Sequence, residues 1–278
     1  MGAPMARHLA NAGHDVRVNN RSESKMRELA SVAQVTICSS PAEAASGADI
    51  IMVCVGNDDD VRDVVFGGQG VVHGLARGSV LVDHTTTSAN LARELSQRLG
   101  ALGVEFVDAP VSGGQAGAEN GTLTVMCGSD NPAAFDRVAP VIDSYARSCI
   151  LLGQAGSGQL AKMVNQICIA GVLEGLAEGL NFAMAAGLDA HAVVDVISKG
   201  AAQSWQMENR GHTMIEGKFD FGFAVEWMKK DLSYALAEAA RLGAPAPLAS
   251  DVLRYYEELI GDGESRSDTS SLIRRYRR

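Results

Sequence analysis

The sequence predicts an α/β fold in which a doubly wound parallel sheet is followed by an all-α domain. Before residue 152, short and nearly continuous apolar runs alternate with stretches of helical length, as in parallel sheets that are covered on both faces. After residue 152 no run is a convincing strand, and helical patterns replace the alternation. The glycine-rich residues 153–158 separate the two kinds of pattern. We therefore predict two domains, residues 1–152 and residues 153–278.

Length and charge restrict the class of protein. A chain of 278 residues with 46% apolar residues is long enough for two domains with real cores. The 24 basic and 33 acidic residues give a net charge of -9, which argues against nucleic acid or an anionic membrane as the main partner. No signal peptide and no uninterrupted apolar span of about 18 residues is visible. We expect a cytoplasmic protein.

Neither the cysteines nor the histidines are spaced as metal ligands. None of the five cysteines forms a Cys-x-x-Cys pair, and most lie inside strand-like apolar runs, so we interpret them as reduced core residues. The six histidines show no ligand spacing. We predict no bound metal. The cysteines are Cys38, Cys54, Cys127, Cys149 and Cys168.

The elements of the first domain follow from its alternating pattern. A helix with Pro4 in its first turn is expected over residues 3–12, ending at Gly13, and a second helix should open at about Glu23. Further helices are predicted over residues 61–66 and 89–99. Strands are predicted over residues 14–19, 34–38, 49–55, 79–83 and 104–108, with residues 122–127 and 149–152 extending the far edge of the sheet.

The second domain should begin with a helix of about 28 residues over residues 158–186. Small residues recur along it, which favours a tightly packed contact within the domain or between subunits. Later helices are expected over residues 190–199, 224–242 and 247–260. The tail from residue 265 carries five arginines, and we interpret it as a solvated basic segment.

Lys162 is the first candidate for chemistry. It lies about one turn into the long helix, and residues three and four apart share a helix face, so Asn165 and Gln166 should project with it. The surrounding run is apolar, and a lysine drawn into low dielectric has its charged form disfavoured, which suits proton transfer. Periodicity alone favours the alternative, a lysine at a domain seam whose stem is buried and whose amine reaches water.

The N-terminus carries part of a dinucleotide-binding pattern. Gly2 stands where the third glycine of Gly-x-Gly-x-x-Gly would open a helix, whereas the first strand and the first two glycines do not precede it. About 20 residues later, Asn20-Arg21-Ser22 replaces the acidic residue that binds a ribose 2′-hydroxyl. An arginine with small polar neighbours suits a 2′-phosphate, so we predict NADP, with NAD possible. An ordinary helix-capping turn is the alternative.

The most specific run in the chain follows the strand at residues 104–108. Ser112 is followed by Gly113 and Gly114, whose backbone N–H groups and hydroxyl can hold a carboxylate or carbonyl oxygen. At this point the chain resembles the β-hydroxyacid dehydrogenase family, the group of 3-hydroxyisobutyrate dehydrogenase, tartronate semialdehyde reductase and glyoxylate/succinic semialdehyde reductase, which is related to 6-phosphogluconate dehydrogenase. The motifs that carry the resemblance nearly end to end are Met1-Gly2-Ala3-Pro4-Met5-Ala6, Asp83-His84-Thr85-Thr86, Asp108 to Gly114, Gly156-x-Gly158-x-x-x-Lys162-x-x-Asn165 and Lys230-Asp231-Leu232.

The resemblance implies a Rossmann-like first domain, a helical substrate and oligomerisation domain, and a homodimer or homotetramer. It assigns Lys162 as the acid or base at the substrate hydroxyl. Asn165 matches the first amide of the family's Lys-x-x-Asn-Asn, and Gln166 replaces the second, as in members that act on tartronate semialdehyde. The implied catalytic residues are therefore Lys162, Asn165, Gln166 and Ser112.

The same resemblance implies the binding residues. The segment at Ser112, Gly113 and Gly114 matches the one that holds the substrate carboxylate, and Lys230 matches a lysine near both substrate and nicotinamide ribose. Trp205 is a further substrate candidate, although core packing is equally expected for Trp205 and Met207. The implied cofactor contacts are Gly2, Met5, Asn20, Arg21, Val55, Gly56, Asp60, Thr86 and Lys230. The acidic run at residues 58–60 resembles a metal site in composition alone, and we interpret it as a solvated turn.

The sequence leaves two alternative functions open. Imine reductases share this architecture and generally lack the lysine, so Lys162 argues against that activity. A non-catalytic dinucleotide-binding protein gains weight from the incomplete glycine motif, and we expect about ten residues to precede Met1 in the natural product.

Overall fold

The computed structural model describes residues 1–22, 26 and 29–277, and its internal contacts divide it into two units, Met1–Lys162 and Met163–Arg278. The helix expected to open at about Glu23 falls largely outside the described residues. The predicted functional boundary after residue 152 stays a prediction.

The first unit is built on parallel strands, which confirms the predicted fold class. One three-stranded sheet has the order β3-β4-β5, and its middle strand β4 is buried at every position, as its continuous apolar run indicated. A separate parallel pair, β1 and β2, lies in a sheet of its own. These strands are β1 Val16–Val18, β2 Val35–Ile37, β3 Ile50–Val53, β4 Val80–Asp83 and β5 Glu105–Asp108.

A third sheet holds the far-edge strands. β6 (Val111–Ser112) pairs antiparallel with β7 (Leu123–Cys127), and β7 pairs parallel with β8 (Ala146–Leu151). The sequence predicted β7 and β8 but not the two-residue β6. An isolated bridge between Asp108 and Gly128 links β5 to the loop after β7.

The helices of the first unit cover these sheets. The run at residues 58–60 is not the solvated turn that we expected, because it forms the first turn of α3: Asn57 accepts a hydrogen bond from Asp60 N and caps the helix, and acidic residues are favourable there. The helices over residues 41–45, 114–119 and 132–142 were not predicted. The helices are α1 Gly2–Asn11, α2 Pro41–Ala45, α3 Asp58–Phe66, α4 Ala89–Ala101, α5 Gly114–Glu119 and α6 Pro132–Ile142, with a 3₁₀ turn at Val71–His73.

The second unit is helical in its described part, as predicted. Its core joins the long helix α7 to the helices that follow, through residues such as Leu173, Met214, Leu232 and Tyr256. The helix α9 was not predicted. The helices are α7 Ser157–Ala185, which begins in the first unit, α8 Ala190–Ile197, α9 Trp205–Glu216, α10 Val225–Leu242 and α11 Pro247–Gly261, with a 3₁₀ segment at Thr269–Tyr276.

The C-terminal tail is folded rather than solvated. Leu272 and Ile273 are buried in the core of the second unit. Arg275 pairs with Glu258 at 3.1 Å and with the buried Glu174 at 3.4 Å. The arginines therefore neutralise carboxylates of this unit, a role that composition did not reveal.

Among the described helices, α7 alone is long and apolar enough to cross a membrane, judged by length and composition. Composition alone does not distinguish such a span from a core helix of a globular protein, and α7 carries the buried, ion-paired Glu174. Cys168 on this helix is exposed, which corrects our interpretation of all five cysteines as core residues.

Candidate functional site

The carboxyl ends of β3, β4 and β5 meet at one edge of their sheet, because the three strands are parallel. Thr85, just after β4, connects these ends: its hydroxyl accepts a hydrogen bond from Val55 N at 3.1 Å, and its own N–H donates to Asp83 at 2.9 Å. The predicted cofactor contacts Val55, Gly56 and Thr86 are thus brought to the same edge.

Two buried carboxyl groups stand side by side at this edge, since Asp83 and Asp108 are register partners on β4 and β5. Loss of water is the main cause that raises the pKa of Asp83 to about 7, and the charge of Asp108 raises it further. Desolvation likewise raises the pKa of Asp108 to about 6, although backbone N–H groups oppose it. The edge therefore holds two groups that change charge near neutral pH.

Asp108 caps the start of α7 from a distant part of the chain. Its carboxylate oxygens accept hydrogen bonds from Gly156 N at 2.7 Å and Gln159 N at 2.9 Å. These are N–H groups at a helix N-terminus, where a negative charge is favourable. Glycine is required at position 158 because a Cβ would lie 2.3 Å from Met126 O. The glycines of the hinge thus permit this close approach.

Gln159 lies in the first turn of α7 and is fully buried. Its carboxamide donates to Thr85 O at 2.8 Å and accepts from Thr87 N at 3.0 Å. We had not assigned it a function from the sequence. A usable signal was its spacing, three residues before Lys162 and seven before Gln166, which places the three on one helix face.

Lys162 is 7% exposed. It follows Gln159 by one helical turn, so the backbone that carries it is fixed through Asp108 and Gln159 to the strand ends. This burial agrees with the environment that we expected for a proton-transferring lysine, whose catalytic role stays a prediction.

A buried histidine, directly after β4, also contacts the residues at this edge. His84 Nδ1 lies 2.6 Å from Ala109 O, and because a carbonyl only accepts, Nδ1 carries the proton. His84 Nε2 therefore accepts from the Tyr145 hydroxyl at 2.8 Å. Burial lowers the pKa of His84 to about 4, so the ring stays neutral at physiological pH.

Ser112, Gly113 and Gly114 connect β6 to α5. Gly113 has φ +129° and Gly114 has φ +62°, conformations that side chains rarely adopt. This backbone turns sharply after Ser112 and precedes the N-terminus of α5. The substrate contacts assigned to these three residues stay predictions.

The remaining cofactor candidates of the first unit differ in exposure. Helix α1 begins at Gly2 without a side-chain cap, which suits a phosphate on its N–H groups. Arg21 is 93% exposed in its side chain and lies 3.8 Å from Asp60, so these two candidates are brought together, and Asn20 donates to Ser22 O. The Met5 side chain is instead buried in the core.

In the second unit a chain of polar contacts joins three predicted residues. Asn165 donates to Gln166 at 2.7 Å, and Gln166 donates to the buried Asp231 at 2.6 Å. Asp231 also pairs with Lys230 at 3.3 Å. Asp231, which we quoted only as part of a motif, is the residue that links them. The carboxylate orients the Gln166 amide and holds the Lys230 ammonium.

The residues near the start of α9 have separate environments. Met207 is buried in the core of the second unit, whereas Trp205 is 51% exposed. Arg210 lies over the Trp205 ring at 5.0 Å and pairs with Asp268 at 3.1 Å. The core interpretation therefore holds for Met207 and is wrong for Trp205.

Comparisons with known proteins match nearly the whole chain. Residues 1–153 match the model of the NAD binding domain of 6-phosphogluconate dehydrogenase, and residues 156–276 match that of the NAD-binding domain of NADP-dependent 3-hydroxyisobutyrate dehydrogenase. An uncharacterized oxidoreductase of Shewanella frigidimarina is 57% identical over 275 residues, covering 99% of this chain and 94% of that protein.

Two relatives carry names that specify a substrate class. The 2-hydroxy-3-oxopropionate reductase of Escherichia coli is 34% identical, with 98% of this chain and 92% of that protein covered. The structure of a 3-hydroxyisobutyrate dehydrogenase of Mycobacterium tuberculosis with L-serine is 30% identical and has a TM-score of 0.89, covering 100% of this chain and 96% of that one.

Proposed function

This chain belongs to the β-hydroxyacid dehydrogenase family of NAD(P)-dependent oxidoreductases, and from that premise we propose that it interconverts a small β-hydroxy acid and its semialdehyde with Lys162 as acid and base. A bound nicotinamide would supply the hydride acceptor for oxidation of the substrate carbon and the hydride donor for reduction. As the hydroxyl becomes a carbonyl, its proton passes to the neutral amine of Lys162; in reduction the ammonium returns it.

The burial of Lys162 is the observation that carries this proposal. At 7% exposure the Lys162 side chain is largely shielded from bulk water, as expected for a group that exchanges a proton with a bound substrate. The turn that carries it is held by Asp108 and Gln159, so the amine is supported by a fixed backbone. Precise support of this kind is what an acid–base group requires.

For the substrate, we propose a short chain with a carboxylate and a hydroxyl on the β carbon. The backbone N–H groups at Gly113 and Gly114 and the Ser112 hydroxyl are donors suited to the carboxylate. The amides of Asn165 and Gln166 are suited to the hydroxyl or a second polar group. Relatives act on 2-hydroxy-3-oxopropionate or were solved with L-serine, a β-hydroxy acid, which supports this class.

For the cofactor, we propose NADP over NAD. The exposed Arg21 has a weak carboxylate partner, Asp60 at 3.8 Å, and is accessible to a 2′-phosphate. Position 20 is asparagine, which does not repel that phosphate as a carboxylate would. We propose Gly2, Val55, Gly56, Thr86 and Lys230 as the other residues that hold the cofactor.

We further propose that the chain forms a homodimer or homotetramer through α7. An apolar stripe on α7, defined by Val164, Cys168, Val172, Gly175, Gly179 and Phe182, is exposed along the helix. A Cβ at Gly175 or Gly179 would meet no atom, so the stripe is open to another helix. Phe182→Glu should shift the mass in solution toward the monomer, whereas Val196→Glu, an exposed apolar residue on α8, should not.

For the two domains, we propose the roles that the sequence predicted. We propose that residues 1–152 bind the dinucleotide, that residues 153–278 bind substrate and form subunit contacts, and that the enzyme works in the cytoplasm.

The test is an activity panel on the purified protein with both cofactors, using small semialdehydes, β-hydroxy acids and cyclic imines. We expect turnover of a semialdehyde and its hydroxy acid, faster with NADPH or NADP, and its near loss in Lys162→Ala. Turnover of imines alone would contradict the proposal, as would a Lys162→Ala enzyme with wild-type rates.

A further inference from the structure

Gln159 has no assigned role, yet its side-chain nitrogen, its side-chain oxygen and its backbone N–H all form hydrogen bonds. Its carboxamide bonds to Thr85 O and Thr87 N, residues that lie 74 and 72 positions earlier in the chain. Its backbone N–H is bonded to Asp108 at 2.9 Å. A buried carboxamide that is bonded at both its nitrogen and its oxygen has a fixed orientation.

The segment that Gln159 holds is the one that carries the proposed cofactor contacts. Thr86 lies between the two backbone groups bonded by Gln159, and Thr85 also receives the N–H of Val55. A shift of residues 85–87 would therefore move Thr86 and break the hydrogen bond from Val55 N that holds the loop after β3.

Resting on the proposed function, we propose that Gln159 is a positioning residue for hydride transfer. Its carboxamide couples the cofactor-contact segment at residues 85–87 to the turn of α7 that carries Lys162. The acid–base group and the cofactor contacts then keep one fixed spacing. Such coupling matters because reacting groups misplaced by about 1 Å can cost a hundredfold in rate.

The two hydrogen bonds differ in direction, and this difference provides a sharp test. Thr87 N needs an acceptor, which glutamine and glutamate both supply. Thr85 O needs a donor, which glutamate supplies only when it is protonated. Gln159→Glu keeps the shape and should restore both bonds at low pH, whereas its ionised form places a charge against a carbonyl in a buried position. Gln159→Met keeps the approximate volume and restores neither bond at any pH.

The experiment measures kcat, KM and the dissociation constant of NADPH between pH 6 and pH 8, in each variant relative to wild type. The nearby acidic groups Asp58, Asp83 and Asp108 and the amine of Lys162 are common to all variants, but Asp83 and Asp108 change charge in this pH range. The pH dependence of Gln159→Glu is therefore read against that of Gln159→Met, which loses both bonds without adding a charge. Gln154→Glu, an exposed glutamine of the same hinge, is the matched control.

For Gln159→Glu we expect a kcat about tenfold below wild type at pH 8, the equivalent of one unmet buried hydrogen bond, and recovery to within about threefold at pH 6. The affinity for NADPH should follow the same trend. Gln159→Met should stay about tenfold low at both pH values, and Gln154→Glu should match wild type.

A pH-independent kcat ratio for Gln159→Glu would overturn the inference, and so would a Gln159→Met enzyme that loses thermal stability while keeping wild-type kcat and NADPH affinity. If the wild type turned over no panel substrate, the proposed substrate class would be wrong, while the NADPH affinities of Gln159→Glu at pH 6 and pH 8 would still decide the role of Gln159.

Discussion

Two edges of the N-terminal unit differ in how they are built. The edge at the ends of β4 and β5 is buried: Asp83 accepts a hydrogen bond from Thr85 N in the turn after β4, Asp108 accepts from Gly156 N at the start of α7, and Gln159 donates to Thr85 O. In the described part of the loop after β1, Arg21 is exposed and lies 3.8 Å from the Asp60 carboxylate. One edge fixes geometry, and the other presents an accessible charge.

The difference teaches which properties each edge can control. A buried network transmits any change to all of its members, so substitutions there should affect rate, folding and pH dependence together. An exposed pair is screened by water and contributes little to stability. Substitutions at the loop after β1 should therefore change cofactor choice alone.

The largest effect is expected at the amine that the buried edge supports. Lys162→Ala should lower kcat about a thousandfold, the middle of the range for removal of an acid–base group, with the fold retained. Steady-state kinetics with the best panel substrate measure it, and Lys199→Ala, an exposed lysine after α8, is the control. A loss below tenfold would make Lys162 a structural residue.

The next effect concerns folding. Asp108→Ala removes the acceptor for Gly156 N and Gln159 N and leaves both donors buried, which should lower the free energy of unfolding by about 3 kcal/mol at pH 7.5. Denaturant titration checks this, with Asp136→Ala on the exposed side of α6 as control. Equal midpoints for the two variants would show that the cap at α7 contributes nothing.

A smaller effect is expected at the exposed edge. Arg21→Ala should reduce the preference for NADP over NAD by about tenfold, since a single exposed charge contact to phosphate is worth about 1.4 kcal/mol. The ratio of kcat/KM with the two cofactors measures the preference. The melting temperature should not change. An unchanged preference would mean that Arg21 does not contact the cofactor and that its turn only caps a helix.

The smallest effect is a pH dependence of stability. Because the pKa of Asp83 is raised to about 7 when folded, the stability from its protonated form is present at low pH and is lost as pH rises through 7. His84, with its pKa lowered to about 4, acts oppositely, but only below its unfolded pKa of 6.5.

Between pH 6.5 and pH 8 the effect of His84 is nearly constant, so the loss of the Asp83 contribution can be observed there, and wild type should become less stable by about 1 kcal/mol from this group. Asp83→Asn should remove that slope. Thermal unfolding of both proteins across this range checks it, and parallel curves would mean that Asp83 does not titrate there.

The sequence predicted the strands and the long helix because they depend on local patterns. The apolar runs that became β3, β4 and β5 are nearly continuous, and β4, the middle strand, is buried at every position. Helix α6 was missed although Asn131 caps it, because Pro140 within its last turns reads as a breaker. Helix α9 was missed because most of its residues are polar, although Met207, Gly211 and Met214 are spaced for one buried face.

The sequence indicated candidate site residues where chemistry follows residue type, as at Lys162 and Gln166, and the roles of these residues stay predictions. Its supporting contacts could not be predicted, because Gln159 and Asp108 meet partners about 50 to 75 residues away in the chain. A helical pattern shows which residues share a face and does not show what lies opposite. The folded tail, with Arg275 on Glu174, was missed for the same reason.

The most direct test of the central claim is chemical rescue of Lys162→Ala in single-turnover reduction, using added primary amines of different pKa. We predict that NADPH binds as tightly as to wild type, that hydride transfer is slow without amine, and that the rate rises with amine concentration and depends on amine pKa. A rate that does not depend on the amines, or a parallel loss of NADPH affinity, would contradict the claim that Lys162 exchanges the proton.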